Sequence, residues 1–327
     1  MNGNLLRAAV GLGAAGLAGV GALALPGGAT AGTASLSNTY FQNGTLAAIT
    51  IRYAAAPGEA NDALVRLVRA PAGVQVVVRD AGAPVVAGTG FVAVASGEAA
   101  ATITSDPPNG LATSVALGDR PDELRLELVG TDLGDAYVAG GAADDRLVVG
   151  PRAGGGVTLM GGTGNDLLDA GPAGGAASYV DHTRAVRVDL DGADDDGSAG
   201  ERDSLRNVQI VWGGAGDDVL VGDRGANRLF GRRGADTIRG GGGDDSLDGE
   251  WGDDLLTGGA GADTLAGSEG RDRVWGGSGP DRLFGDEGAD ALFARDAVRD
   301  RVHGGSGRDR AQLDRGLDVT RGVERRH

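Results

Sequence analysis

The sequence predicts an all-β protein dominated by short repeats rather than by one large packed core. Of its 327 residues, 63 are Gly and only 4% are aromatic, a composition unlike that of an ordinary globular domain. Residues 32–129 alternate apolar and polar positions in short runs, as half-buried β-strands do. A nine-residue pattern of Gly, Asp and one aliphatic residue then occupies much of the remaining chain.

Residues 1–31 are predicted to be a secretory signal peptide. Arg7 precedes an uncharged Ala/Gly/Leu/Val run from Ala8 to Leu25, and small residues follow up to Ala31, in the order that signal peptides use. A disordered tail and an uncleaved anchor are the alternatives. The run is too rich in Gly and Ala for a stable membrane span. We therefore expect a secreted, extracellular protein without stable membrane insertion.

Residues 32–129 are predicted to be a small β-rich N-terminal region. Runs rich in Val, Ile and Thr are separated by Pro-Gly and Pro-Pro-Asn-Gly turns, which indicates about six or seven short antiparallel strands. The alternative is that these strands already form irregular rungs of a solenoid. Acidic residues are scattered here, so no catalytic constellation is expected.

The nine-residue pattern divides the rest of the chain. Degenerate copies and a first clean copy, GGTGNDLLD from Gly161, occupy residues 130–169. An acidic insert over 170–212 is predicted to contain strands flanking an acidic loop. Nine uninterrupted copies fill 213–293, and residues 294–327 form a predicted C-terminal cap.

Each of the nine copies has Gly at positions one and four, and an aliphatic residue at position eight. We expect both glycines to adopt backbone conformations closed to other residues, as in a tight turn. Position six is Asp in every copy except the one with Asn227. Each unit should therefore be a turn followed by a short strand whose middle side chain points inward.

One copy cannot be stable by itself. Burying a single Leu contributes roughly 1.5 to 3 kcal/mol, whereas ordering nine residues costs on the order of 9 to 18 kcal/mol. The nine copies also hold 17 acidic residues against 8 Arg, which opposes compaction. Carboxylates and turn carbonyls, without Cys or a nearby His, favour Ca²⁺ over Zn²⁺ or copper, and Mg²⁺ fits less well because it retains waters in a strict octahedron.

The copies GGAGDDVLV, GGGGDDSLD and GEWGDDLLT resemble the RTX (repeats-in-toxin, haemolysin-type) calcium-binding nonapeptide G-G-x-G-x-D-x-U-x. The resemblance implies a parallel β-roll, in which two nonapeptides form one coil and Ca²⁺ lies between successive turns on the same side. It implies up to seven sites over 213–293, the weakest between Asn227 and Asp245. The metal ligands predicted in this way are Asp166, Asp218, Asp236, Asp245, Asp254, Asp263, Asp272, Asp281 and Asp290.

The acidic insert resembles an EF-hand loop only loosely. In DLDGADDDGSAGERD, counted from Asp189, the fifth position is Ala193 instead of Asp or Asn. The segment is therefore interpreted as an acidic loop, with an accessory Ca²⁺ site as the second interpretation.

Composition and motifs exclude several function classes. A net charge of −16 argues against nucleic-acid binding. With three His in the chain there is no H-E-x-x-H, and G-x-S-x-G and a phosphate-loop Lys are also absent. Ser178, Asp181 and His182 lie close in sequence, but simple loop polarity explains them. We expect no enzyme; a calcium-dependent extracellular hydrolase or lyase using paired carboxylates is the less favoured alternative.

Several aromatic residues are predicted to point outward from the repeats. They are Phe230, Trp275, Phe284 and Phe293 at position nine, and Trp251 in a turn. The favoured interpretation is that they pack against residues 294–327 or the N-terminal region. The alternative is a patch for a cell-surface glycan or protein, which would make the protein a surface adhesin or a carbohydrate-binding protein.

Overall fold

The computed structural model describes residues 135–151 and 156–324 with their side chains, together with Val115 and residues 121–126. Elsewhere between 33 and 129, and at 325–326, it describes the backbone of the strands alone. The predicted signal peptide, residues 1–31, lies outside the described residues. The described chain consists of strands and turns, and none of it forms a helix with the length and apolar character that crossing a bilayer requires.

The strands fall into three groups along the chain. The N-terminal group is β1 (Thr33–Tyr40), β2 (Leu46–Ala54), β3 (Asp62–Ala70), β4 (Gly73–Asp80), β5 (Val86–Ala87), β6 (Val92–Ala95), β7 (Glu98–Ile103), β8 (Leu111–Gly118) and β9 (Glu123–Val129). The middle group is β10 (Ala136–Ala142), β11 (Arg146–Val149), β12 (Val157–Thr163), β13 (Leu167–Asp169), β14 (Gly175–Ser178), β15 (Val186–Asp189), β16 (Asp194–Ser198), β17 (Asp203–Arg206) and β18 (Val208–Trp212). The C-terminal group is β19 (Val219–Val221), β20 (Arg228–Arg233), β21 (Thr237–Gly242), β22 (Ser246–Trp251), β23 (Leu255–Ala260), β24 (Thr264–Gly270), β25 (Arg273–Ser278), β26 (Arg282–Gly288), β27 (Ala291–Ala294), β28 (Arg301–Gly307), β29 (Arg310–Leu313), β30 (Val319–Arg321) and β31 (Arg325–Arg326).

Successive strands of the repeat region alternate between two parallel sheets. One sheet runs from β10 through β12, β14, β18, β20, β22, β24, β26 and β28 to β30. In the other, β19, β21, β23, β25, β27 and β29 pair in order. Each nonapeptide thus supplies a turn and one strand, and two nonapeptides complete a coil. This is the parallel β-solenoid that the repeat resemblance implies.

The space between the two sheets is filled by the aliphatic side chains at position eight. Leu220 aligns with Ile238 in one sheet, and Leu229 aligns with Leu247 in the other. All nine of these side chains are at most 1% exposed. The inward orientation predicted for position eight is therefore confirmed, and the core is one side chain wide per strand.

The N-terminal strands combine the two arrangements considered from sequence. β1 and β2 are antiparallel, as are β3 and β4, and β7 is antiparallel to both β4 and β6. In contrast, β2 and β8 are parallel, and β8 continues in parallel onto β10. β3 likewise continues through β9 onto β11. The sheets of the solenoid thus extend upstream of the nonapeptides.

The insert over 170–212 interrupts only one of the two sheets. β14 and β18 pair in parallel and keep the first sheet continuous. In the second sheet, β16 pairs antiparallel with both β15 and β17, and β15 then pairs in parallel with β19. The segment predicted to be an acidic loop therefore contains a strand, and the β15–β16 hairpin joins the two parts of the second sheet.

Candidate metal centres at the turns

Aspartates at position six form a column along one side of the roll. The backbone N–H of Asp236 donates a hydrogen bond to Oδ1 of Asp254 at 2.7 Å, 18 residues further along the chain. The same bond joins Asp218 to Asp236 at 2.7 Å. It also joins Asp254 to Asp272 at 2.8 Å and Asp272 to Asp290 at 2.9 Å. The five residues predicted to stack on this side are thus brought together.

The opposite side of the roll has a second column. Asn227 donates its backbone N–H to Oδ1 of Asp245 at 2.8 Å, Asp245 donates to Asp263 at 2.8 Å, and Asp263 donates to Asp281 at 2.9 Å. Adjacent repeats therefore contribute to opposite columns. Asp166 lies in the upstream part of the roll, where it accepts from the backbone of Asp145 at 2.7 Å.

The second carboxylate oxygen of most column residues has no protein partner. This Oδ2 atom is buried without a hydrogen bond in ten aspartates that are each at most 3% exposed. A buried carboxylate with an unsatisfied oxygen is costly unless it is protonated or meets a cation. The ten residues are Asp145, Asp166, Asp236, Asp245, Asp254, Asp263, Asp272, Asp281, Asp290 and Asp309.

Asp218 differs from the other predicted ligands. Its Oδ2 accepts a hydrogen bond from the backbone N–H of Gly214 at 2.7 Å, and its Oδ1 accepts from Val186 at 2.8 Å. Both oxygens are therefore satisfied by protein donors. Asp218 is the first residue of this column after the insert. Its carboxylate is already stabilised by protein donors, unlike those of the aspartates that follow.

The glycine at position one opens a small space beside each unsatisfied oxygen. A Cβ atom added to Gly240 would overlap Asp245 Oδ2 and the carbonyl oxygen of Gly258 in the next coil. A Cβ atom on Gly249 would likewise overlap Asp254 Oδ2 and the carbonyl oxygen of Gly267. A carboxylate oxygen and a carbonyl oxygen from two successive turns thus converge where a side chain is missing. Such a set of hard oxygen donors suits Ca²⁺.

The two glycine positions act for different reasons, which corrects the sequence-based expectation. Position four adopts a left-handed backbone in seven of the nine copies, with φ of 139° at Gly252 and 145° at Gly261. Gly240, at position one, shows no positive φ and is required by the close approach described above. Position two is the other left-handed position, and there Glu250 is accommodated with φ of 66°.

Burial controls the electrostatics of the columns. Desolvation raises the pKa of Asp236 to about 8 and the pKa of Asp272 and Asp281 to about 7, and the charges of neighbouring column aspartates add to the increase. Desolvation raises the pKa of Asp245 and Asp254 to about 6. The backbone N–H bond to each carboxylate lowers the pKa and offsets only part of this effect. Without a cation, Asp236 therefore favours the protonated form at neutral pH, and the other four carboxyls titrate closer to neutral pH than an ordinary Asp does.

The columns extend beyond the residues predicted from sequence. Asp281 donates to Asp300 Oδ1 and Asp290 donates to Asp309 Oδ1, each across 19 residues instead of 18. The additional residue shifts both aspartates out of the nine-residue register. The Gly-rich turn before Asp309 nevertheless marks this segment as a further copy of the repeat. Upstream, Asp145 lies in a degenerate copy. Asp203 accepts from Asp166 across 37 residues, a spacing with no local signal.

The outward aromatic residues pack mainly on residues of the neighbouring coil. Trp275 and Phe293 stack with ring centroids 4.2 Å apart and planes inclined by 5°. Trp251 is 43% exposed and lies under the guanidinium of Arg233, 5.3 Å from the ring centroid. The other contacts are Phe230 with Trp212, and Phe284 with His303. Only the last of these matches the expected packing against residues 294–327.

His182 is a buried residue of the insert and lies between two carboxylates. Its Nδ1 is 3.0 Å from Asp181 Oδ1 and its Nε2 is 3.5 Å from Glu201 Oε2. The hydrogen bond with Asp181 raises the pKa of His182. The Ser178 side chain is buried, and among the described residues no hydrogen bond joins it to His182. The geometry thus links His182 to two carboxylates rather than to a hydroxyl.

Comparison with known protein families agrees with this geometry. A family model described as the RTX calcium-binding nonapeptide repeat matches four segments of the chain: 153–172, 210–229, 230–265 and 266–296. No curated protein matches the chain. The matched segments contain all nine predicted ligand residues and most of both columns. The region from 153 to 296 thus carries RTX calcium-binding repeats, and its parallel β-solenoid is an RTX β-roll.

Proposed function

We propose that this chain is a secreted calcium-binding protein whose repeats become ordered when Ca²⁺ occupies the turns. The observation that carries the proposal is the set of buried Oδ2 atoms without protein partners along both columns. Between two successive aspartates of a column, the position-six carboxylates and the turn carbonyls of the two coils supply the oxygen ligands. Ca²⁺ accepts six to eight such ligands in flexible geometry.

Ca²⁺ binding at the columns is expected to be coupled to folding of the roll. In the metal-free roll, ten of the stacked aspartates carry an unsatisfied buried oxygen, and neighbouring carboxylates follow one another along each column. This arrangement opposes the ordered state, and bound Ca²⁺ removes the opposition. Ligand binding that is confined to the folded state adds its free energy to stability. Extracellular Ca²⁺-binding modules typically have dissociation constants of about 10⁻⁴ to 10⁻³ M, and we expect this range.

Circular dichroism of the purified chain tests the proposal. We expect a largely disordered spectrum in calcium-free buffer and a β spectrum at millimolar Ca²⁺. Equimolar Mg²⁺ serves as the control and should have little effect, because Mg²⁺ needs a stricter, wetter geometry. Identical spectra with and without Ca²⁺ would exclude the coupling.

Secretion is the second part of the proposal. It rests on the Arg7 and Ala8–Leu25 pattern of the N-terminus, which has the order of a secretory signal peptide. Mass spectrometry of protein recovered from culture medium should show a chain that begins near residue 32. An intact N-terminus on protein found only inside cells would contradict secretion.

The proposed role is structural or interactive rather than catalytic. The use of the repeat side chains for a one-residue core and for the two columns of carboxylates supports this assignment. A second candidate function, recognition of a cell-surface glycan or protein, is favoured by the exposed ring of Trp251. A glycan array with the native chain and Trp251→Ala tests it. Binding that is lost in the variant would support recognition, whereas binding by neither protein would remove glycans from consideration.

A further inference from the structure

Three aspartates of the β15–β16 hairpin lie close together outside the repeat columns. Asp189 ends β15, and Asp195 and Asp196 lie within β16. One carboxylate oxygen from each lies within 4.8 Å of the others. These residues fall outside every segment matched by the RTX repeat model. They are also linked differently from the columns, since Asp189 and Asp196 are only 7 residues apart.

Two of the three carboxylates are buried and each retains an unsatisfied oxygen. Asp196 is 1% exposed, and its Oδ1 accepts the backbone N–H of Asp189 at 2.6 Å, while its Oδ2 has no partner. Asp189 is 9% exposed, and its Oδ2 accepts from Arg187 Nη2 at 2.8 Å, while its Oδ1 has no partner. Leaving two buried carboxylate oxygens unpaired so close together is costly.

The hairpin has too little positive charge to neutralise this cluster. Arg187 forms an ion pair with Asp189, and Asp191 adds a further carboxylate next to Asp189. Desolvation and the charges of Asp189 and Asp195 both act to raise the pKa of Asp196, which reaches about 7. Asp195 is exposed, so the cluster is accessible to solvent at this residue.

We propose that Asp189, Asp195 and Asp196 form a separate cation site, and that its ligand is Ca²⁺. All three donors are carboxylate oxygens, without His or Cys, which favours a hard divalent cation over a transition metal. Three protein ligands leave coordination positions for water, which Ca²⁺ accepts readily. Because the hairpin joins β17 to β19, an ion here would fix the junction between the two parts of the second sheet.

Native mass spectrometry of the full chain in millimolar Ca²⁺ tests this site by counting bound ions. We expect Asp196→Asn and Asp195→Asn each to carry one Ca²⁺ fewer than the native chain. Asp195 is exposed, so its replacement keeps the test valid if Asp196→Asn disturbs folding. Asp194→Asn is the matched control, because it removes the same charge from an exposed residue of the same strand outside the cluster. It should leave the count unchanged.

The possible outcomes separate this site from the repeat columns. If Asp195→Asn and Asp196→Asn both bind as many Ca²⁺ ions as the native chain does, the hairpin site is overturned. The proposed function remains intact in that case. A native chain that binds no Ca²⁺ would overturn both. Equal losses in Asp194→Asn and Asp195→Asn would also overturn the site, because they would reflect local charge rather than ligation.

Discussion

The backbone N–H of Asp236 donates to Oδ1 of Asp254 at 2.7 Å, while Oδ2 of Asp254 is buried without a partner. In Asp254, and in most other column carboxylates, one oxygen therefore holds two coils together and the other remains available to a cation. This division of roles explains how a single residue type can serve the fold and the metal simultaneously.

Asp254→Asn should have opposite effects on the two states of the protein. The amide keeps an oxygen for the Asp236 N–H but removes the charge that attracts Ca²⁺. We expect the loaded roll to lose about 1–3 kcal/mol of unfolding free energy, and the metal-free roll to become more stable because a buried charge is gone. Thermal melts with and without Ca²⁺ measure both effects. Asp253→Asn, an exposed neighbour, should change both states much less, and destabilisation of both states by Asp254→Asn would contradict the division of roles.

Protonation of the column carboxylates at low pH should stabilise the metal-free roll, as Ca²⁺ binding is expected to do. Burial raises the pKa of Asp236 to about 8 and that of Asp272 to about 7, from an ordinary value of 3.8, so between these values the folded state binds more protons than the unfolded state. The stability of the metal-free roll is therefore highest below about pH 4 and falls as pH rises towards 8. Circular dichroism in calcium-free buffer should show β structure gained on acidification from pH 8 to about 4.5. Loss of β structure over that range would refute the sign of these shifts.

Protons and Ca²⁺ should also compete directly. Because the column carboxylates must be charged to bind the ion, the apparent Ca²⁺ affinity should increase from pH 6 to pH 8. Calorimetric titrations in buffers of different ionisation enthalpy should detect proton release on binding near pH 6. An affinity independent of pH would indicate that the carboxylates are not the ligands.

Gly240→Ala should weaken Ca²⁺ binding by steric means. The new Cβ would overlap Asp245 Oδ2 and the Gly258 carbonyl oxygen. We expect a loss of about 1–3 kcal/mol in the loaded state, measured by denaturation in Ca²⁺. Gly242→Ala is a matched control in the same turn, because its Cβ would find no atom nearer than 3.7 Å. Equal effects of both substitutions would argue against a cation space at position one.

Asn227→Asp should strengthen Ca²⁺ binding between positions 227 and 245, the site of the second column that is expected to be weakest. Asn227 is 2% exposed and its Nδ2 is buried without a partner, so a donor stands where the other repeats present a carboxylate oxygen. The substitution should bind Ca²⁺ more tightly, or add one ion, and raise the melting temperature only when Ca²⁺ is present. Native mass spectrometry and paired melts measure these effects. A higher melting temperature in calcium-free buffer would show that the gain does not come from the ion.

Local repetition made much of the roll predictable. Each coil contacts only its neighbours, so nine identical positions repeat the same environment. For that reason the inward Leu256 and the stacked Asp254 could be identified by counting residues, and the resemblance to RTX repeats supplied the rule of two units per coil. Counting failed after Asp290, where one additional residue shifts Asp300 and Asp309 by a single position while the columns continue.

Sequence alone determined the period, the one-residue core and the type of ligand atom, because these follow from residue chemistry repeated at a fixed spacing. Only the tertiary structure decided that Gly240 is needed for space, since its neighbour Gly258 belongs to another coil. It also decided that Asp203 joins the column of Asp166 across the insert, and that Asp189 meets Asp196 in a hairpin. Those contacts join residues from different coils or from the two strands of a hairpin. A nine-residue period does not specify them, because it describes only the residues within one copy.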